Sequence, residues 1–105
     1  MIASPFGSSF EQIVNMTDTL VLTEGAINLV RGLSGLSGGK NCTLPSIAEM
    51  VASQNNVLYI VNASDSGGTI TAVAATGDAI VGRITAPVAT GLTLRHNGLH
   101  TWFGM

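Results

Sequence analysis

Charge is what this 105-residue chain has least of. Lys and Arg number 4 and Asp and Glu 6, so charged residues make up 10%. Ordinary soluble domains carry about 25%. The four cations, Arg31, Lys40, Arg83 and Arg95, are far apart in sequence, so there is no basic cluster to neutralise a phosphate backbone. Binding to nucleic acid through counterion release has no footprint here. Cysteine is nearly absent too. Cys42 is alone, which excludes an intrachain disulfide and leaves the redox compartment open. Long apolar runs are missing: 46% of residues are hydrophobic, yet the runs are short and cut by Asn, Thr, Ser and Gly. None approaches the roughly 18–20 residues that span a bilayer, so no membrane partner is expected. The first residues lack the basic start and long apolar core of a signal peptide.

A chain so poor in charge has little with which to cover its surface. Apolar area left in water favours association. The composition therefore predicts a subunit of an assembly. The competing reading is a surface kept soluble by Thr, Ser and Asn.

What the chain does have is β-pattern. Residues 57–61 are an apolar run containing Tyr59, Ile60 and Val61. A Gly-rich turn at 62–68 follows, then alternation over 69–73. Branched and aromatic side chains suit a pleated surface, and two such runs around a Gly turn predict a β-hairpin. Gly77-Asp78 breaks the chain before a further short run at 79–81. Earlier, strands are predicted over 17–23 and 26–30. A flexible loop over 32–40 carries Leu33 and Leu36 at its tip as candidate contact residues. Its glycines do not make a phosphate cradle, because Lys40 precedes Asn41 and not Ser or Thr.

Pro45 stops a short strand at 42–44. Ser46 with Glu49 three residues on has the spacing of a capping box, and Ile47, Met50 and Val51 fall on one helical face. One short helix is predicted near 46–54. At the end of the chain, Asn97-Gly98 between apolar runs predicts a two-residue turn. That register sets His96 against Leu99 and Thr93 against Trp102, with Leu92, Leu94 and Phe103 on one face. Seven or eight strands with regular turns predict one all-β domain over 17–105, a small antiparallel β-sandwich, jelly-roll-like or barrel-like. Residues 1–16 read as an extended arm, with Phe6 and Phe10 as apolar anchors on the domain or on a neighbour. Trp102, Phe103 and Tyr59 are the aromatics expected in the core or at an interface.

The order of signals from residue 43 onward carries a resemblance. It runs Thr43-Leu44-Pro45, Tyr59-Ile60-Val61-Asn62, Thr69-Ile70-Thr71, Gly77-Asp78-Ala79-Ile80-Val81-Gly82, Leu92-Thr93-Leu94, Asn97-Gly98, Trp102. This resembles small β-sandwich structural proteins of tailed bacteriophages, which occur as capsid decoration (cement) proteins and as head-fibre or tail-fibre modules. The resemblance implies a non-enzymatic protein on the capsid surface of a virion, made in the host cytoplasm. It implies the major capsid protein and copies of itself as partners, as a homotrimer. With no long shaft in the chain, decoration is favoured over a fibre. The alternative is a fibre module that binds a host-surface carbohydrate or receptor, with Trp102 as a stacking platform.

Sites for chemistry are weak. His96 and His100 flank a turn and invite a metal, but no third ligand lies near them in sequence. Nothing around Cys42 would activate a thiol, and a lone Cys in a strand reads as a small buried hydrophobe. Asp65 and Asp78 beside glycines read as turn residues. Triplets beginning at Asn15, Asn41 and Asn62 match the glycosylation sequon without a secretory signal to support them. No catalytic residue and no cofactor are assigned.

Overall fold

A computed structural model describes residues 12–33, 36, 38–63 and 68–105. Phe6 and Phe10 lie outside these residues. The elements in order are β1 (Ile13–Met16), β2 (Leu20–Val21), β3 (Leu29–Gly32), β4 (Lys40–Thr43), α1 (Ile47–Ala52), β5 (Val57–Asn62), β6 (Ile70–Val73), β7 (Ala79–Gly82), β8 (Thr85–Ala86), β9 (Thr90–His96) and β10 (Thr101–Gly104). The fold is mostly β, as the alternation predicts. One sheet has six strands in the order β1-β3-β5-β9-β10-β7, and the other has four in the order β2-β4-β6-β8.

The pairing is not the antiparallel meander that the sequence predicts. From β1 to β6 the chain alternates between the sheets, one strand in each. Like strands therefore stack in parallel: β1 on β3, β3 on β5, β2 on β4, β4 on β6. Antiparallel pairing enters with β5–β9, β9–β10 and β6–β8, so both sheets are mixed. The expected hairpin of β5 with β6 does not form. β5 lies between β3 and β9, and β6 belongs to the other sheet. A Gly-rich connection permits either a tight reversal or a crossing. Which one occurs depends on where each strand buries its apolar face.

The faces follow the two-residue period of a strand. In β5, Leu58, Ile60 and Asn62 are buried while Tyr59 and Val61 are exposed. In β9, Leu92 and Leu94 are buried. Both sheets feed one core, which includes Met16, Val30, Cys42, Leu44, Ile60, Ile70, Leu94 and Trp102. Met16 belongs to β1 and is 1% exposed. Residues 13–16 are thus part of the six-stranded sheet, and the expectation of an arm ending at 16 fails there. Leu36 has 0% exposure, so it is a core residue and not a contact at a loop tip. A Cβ on Gly68 would run into the Leu36 carbonyl, so glycine is what lets these two connections cross closely.

The predicted helix is present. Ser46 Oγ accepts from the Glu49 N–H at 3.2 Å, and Ile47 and Met50 face the core. The terminal hairpin is present in a different register. Trp102 pairs with His96 and Phe103 with Arg95, so the loop is longer than two residues. Gly98 has φ +80°, whereas Asn97 is not in the left-handed region. Asn97 Oδ1 instead accepts from the N–H groups of Leu99 and Thr101, a side-chain-built turn. The shift exchanges the faces: Trp102 is buried, within the expectation of core or interface, whereas Phe103, expected on the face of Leu92 and Leu94, is exposed.

Asn62 is 1% exposed, and its amide Nδ2 donates to the carbonyls of Gly68 and Ala86, both at 2.8 Å. Asn62→Ala would remove both of these hydrogen bonds from a buried site, where losing a polar partner costs about 1–3 kcal/mol. A loss of about 2–4 kcal/mol of unfolding free energy is expected by urea denaturation followed by circular dichroism. A loss below 0.5 kcal/mol would show that the amide holds nothing.

Candidate functional site

The residues that invited chemistry are occupied within the chain. His96 Nε2 lies 2.8 Å from the Asn55 carbonyl, and its Nδ1 accepts from the Gly98 N–H at 3.0 Å. A neutral ring with its proton on Nε2 satisfies both contacts. The same ring meets Trp102 edge-on at 5.3 Å. His100 Nδ1 stands 3.5 Å from Asp78 Oδ1, and Asp78 Oδ2 accepts from the Ile47 N–H at 2.9 Å. Asp78 is thus a long-range cap on α1, not the simple turn residue that its Gly neighbour suggests. The two histidines tie the 97–100 tip to the two ends of the helix segment. Among the described residues, no group of three or more His, Cys, Asp or Glu is placed to hold a metal. Asp65 lies outside the described residues.

Cys42 is buried among core residues. Burial pushes its thiol up to about 12, because the thiolate loses its hydration. The Asn62 sequon is used internally by the hydrogen bonds above. Trp102 is fully buried, so it cannot serve as a sugar-stacking platform. Its Nε1 has no hydrogen-bond partner among the described residues.

The outer face of the six-stranded sheet is exposed among the described residues. Three rows of side chains cross it in register. The first runs Ile13, Leu29, Tyr59, Thr93, and Met105 joins it through paired backbone hydrogen bonds with Thr93. The second runs Asn15, Arg31, Val61, Gly91. The third runs Val57, Arg95, Phe103, Val81. Ile13, Tyr59, Val61, Val81, Phe103 and Met105 are all more than 40% exposed. The charges on these rows are Arg31 and Arg95 alone, and Arg31 Nε donates to Asn15 Oδ1 at 3.1 Å. The side chains of these rows make a face that is apolar, aromatic at two points and cationic, with no Asp or Glu among them.

No protein-family model, curated protein or solved structure matches this chain.

Of the residues that sequence singled out, Tyr59 and Phe103 both lie on this face, in different rows. Leu36 and Trp102 go to the core. Leu33 is half-buried beside β1, its N–H bonded to the Met16 carbonyl at 2.9 Å. Sequence reasoning missed Val61, Val81 and the two arginines as neighbours. The odd-numbered alternation of 57, 59 and 61 was a usable signal, but the rows need the strand order as well.

Cys42 should resist a thiol reagent in the folded protein at pH 8 and react fully in denaturant. Mass spectrometry after brief maleimide treatment reads both states. Rapid labelling of native protein would show that the β4 region opens easily.

Proposed function

We propose that this chain is a non-enzymatic structural protein that assembles onto other protein through the outer face of its six-stranded sheet. What supports this is the face itself: three registered rows, two of them dominated by apolar side chains, in a chain with few charges anywhere. Isolated exposed apolar residues are ordinary, whereas a contiguous set marks an interaction surface. Tyr, Phe and Arg are the side chains that most often anchor interfaces. The complementary partner surface is apolar and carries carboxylates to meet Arg31 and Arg95.

The specific setting rests on the order of motifs from residue 43 onward. In that setting the chain is a capsid decoration protein on the outer surface of a phage head, bound to the major capsid protein as a homotrimer. The two sheets then act as a small β-sandwich module. Tyr59 and Phe103 also favour a second reading, a fibre module whose exposed rings stack on a host carbohydrate. A glycan array separates the two, since a decoration protein gives no saccharide signal.

The test is the variant Tyr59→Asp/Phe103→Asp. Both side chains point outward, so the circular dichroism spectrum should be unchanged. Co-sedimentation with heads that lack the native protein should weaken roughly tenfold or more, because two central aromatics are lost to an interface. Undiminished binding would remove the face from the function.

A further inference from the structure

We propose that copies of this chain join edge to edge, β7 of one copy pairing in parallel with β1 of the next. The inference rests on the assembly reading above and names one contact by which copies would meet. It uses the sheet's two edges and leaves its outer face free for another partner.

The directions allow it. β1, β3 and β5 run parallel. β9 opposes β5, β10 opposes β9, and β7 runs with β10. β7 therefore points the same way as β1. The two strands are the outermost of the six, so each presents an unused row of N–H and C=O groups among the described residues. Edges are ordinarily guarded by charge, proline or a bulge. β1 reads IVNM and β7 reads AIVG, with neither charge nor proline. Contact between opposite edges is heterologous, and it closes into a ring when the rotation allows.

The side chains match in phase. Val14 of β1 and Ile80 of β7 are each half-buried and packed against the core. Setting Ile80 beside Val14 keeps inward residues inward and aligns Val81 with Asn15 outside. Beneath β1 lies an open groove of about 300 Å³, lined by Val14, Leu20, Leu22 and Ile27 among others. This groove is where the core stops for want of a further strand. A continuing sheet would place Ile80 of the next copy over it.

Charge fixes the register. Arg83 directly follows β7, and Asp18 lies two residues beyond β1. In parallel alignment both fall at the same end of the joined strands. The Asp18 carboxylate is 76% exposed and stands 3.3 Å from Lys40. It has room for a second cation. No ion pair of Arg83 exists within the described residues.

Cysteine scanning tests this directly on the full chain. Asn15→Cys and Val81→Cys are made separately, and buried Cys42 stays silent. Under mild oxidant neither variant alone should cross-link, and an equimolar mixture should give a covalent dimer. A chain carrying both changes should give a ladder that ends at a closed ring. Asp18→Lys or Arg83→Glu should slow cross-linking a few-fold, and the two together should restore it. Cross-linking of Asn15→Cys with itself would mean two-fold pairing of β1 edges and would overturn the proposal. So would a mixture that stays uncross-linked, as when the chain's own residues before Gln12 cover β1. Failure of these cross-links while the Tyr59→Asp/Phe103→Asp variant still loses its partner would sink the edge contact alone. The opposite pattern would sink the outer face alone.

Discussion

A single buried amide holds the crossing on which the rest of this fold depends. Asn62 ends β5, where the chain leaves the six-stranded sheet for the four-stranded one. Its Nδ2 reaches the Gly68 carbonyl just before β6 and the Ala86 carbonyl in β8. Its own carbonyl accepts from the Ala89 N–H at 2.9 Å, just before β9. A buried polar group without partners is costly. The side-chain amide donors are therefore satisfied when β5, the approach to β6 and β8 are in place, and the main-chain carbonyl of the same residue adds the start of β9. The crossing is fixed by a polar requirement and not by apolar packing alone.

Because the chain crosses there, β6 joins β4 and β8, and the far side of β5 is left open to β9. The chain then adds β10 and β7 beyond β9. Sheet width, and hence the three-row outer face, follows from that choice. A hairpin of β5 with β6 would have brought Thr69 and Thr71 beside Tyr59, and the surface would have been more polar. The same alternation leaves the sheet with parallel-running edges at both sides, which an antiparallel meander of even strand number would not have.

Magnitudes decide how much of the face must be used. Burying a Val, Leu, Ile, Phe or Met side chain contributes about 1.5–3 kcal/mol. Association costs about 4–15 kcal/mol in lost freedom before any affinity appears. Two or three of these residues contribute about 3–9 kcal/mol, which that cost largely cancels, whereas most of two rows leaves a surplus. Arg31 and Arg95 then confer selectivity, because a partner lacking carboxylates would leave two desolvated cations.

Local signals were readable wherever chemistry acts between near neighbours in sequence. The Ser46–Glu49 cap, the stop at Pro45, the alternation of residues 57–61 and the shortage of charge each depend on a few adjacent residues or on a count. They placed a short helix, most of the strands and the mostly β character. Partner choice was not readable. A strand's alternation says which of its residues share a face, but not which strand lies beside it, so β5 was paired with β6 in place of β3 and β9. Trp102 and Phe103 show the sharpest limit. Both are large and apolar, and a change of register by an odd number of residues swaps core for surface. Asn97 set that register by folding its side chain back onto Leu99 and Thr101, a contact that the Asn-Gly pair does not announce. Leu36 and Asp78 were likewise misplaced by their glycine neighbours. The core took Leu36, and the helix end took the Asp78 carboxylate. Sequence alone determined which segments extend and how little charge the surface could carry. Only the tertiary structure decided which face of each segment meets water, because that depends on neighbours tens of residues away.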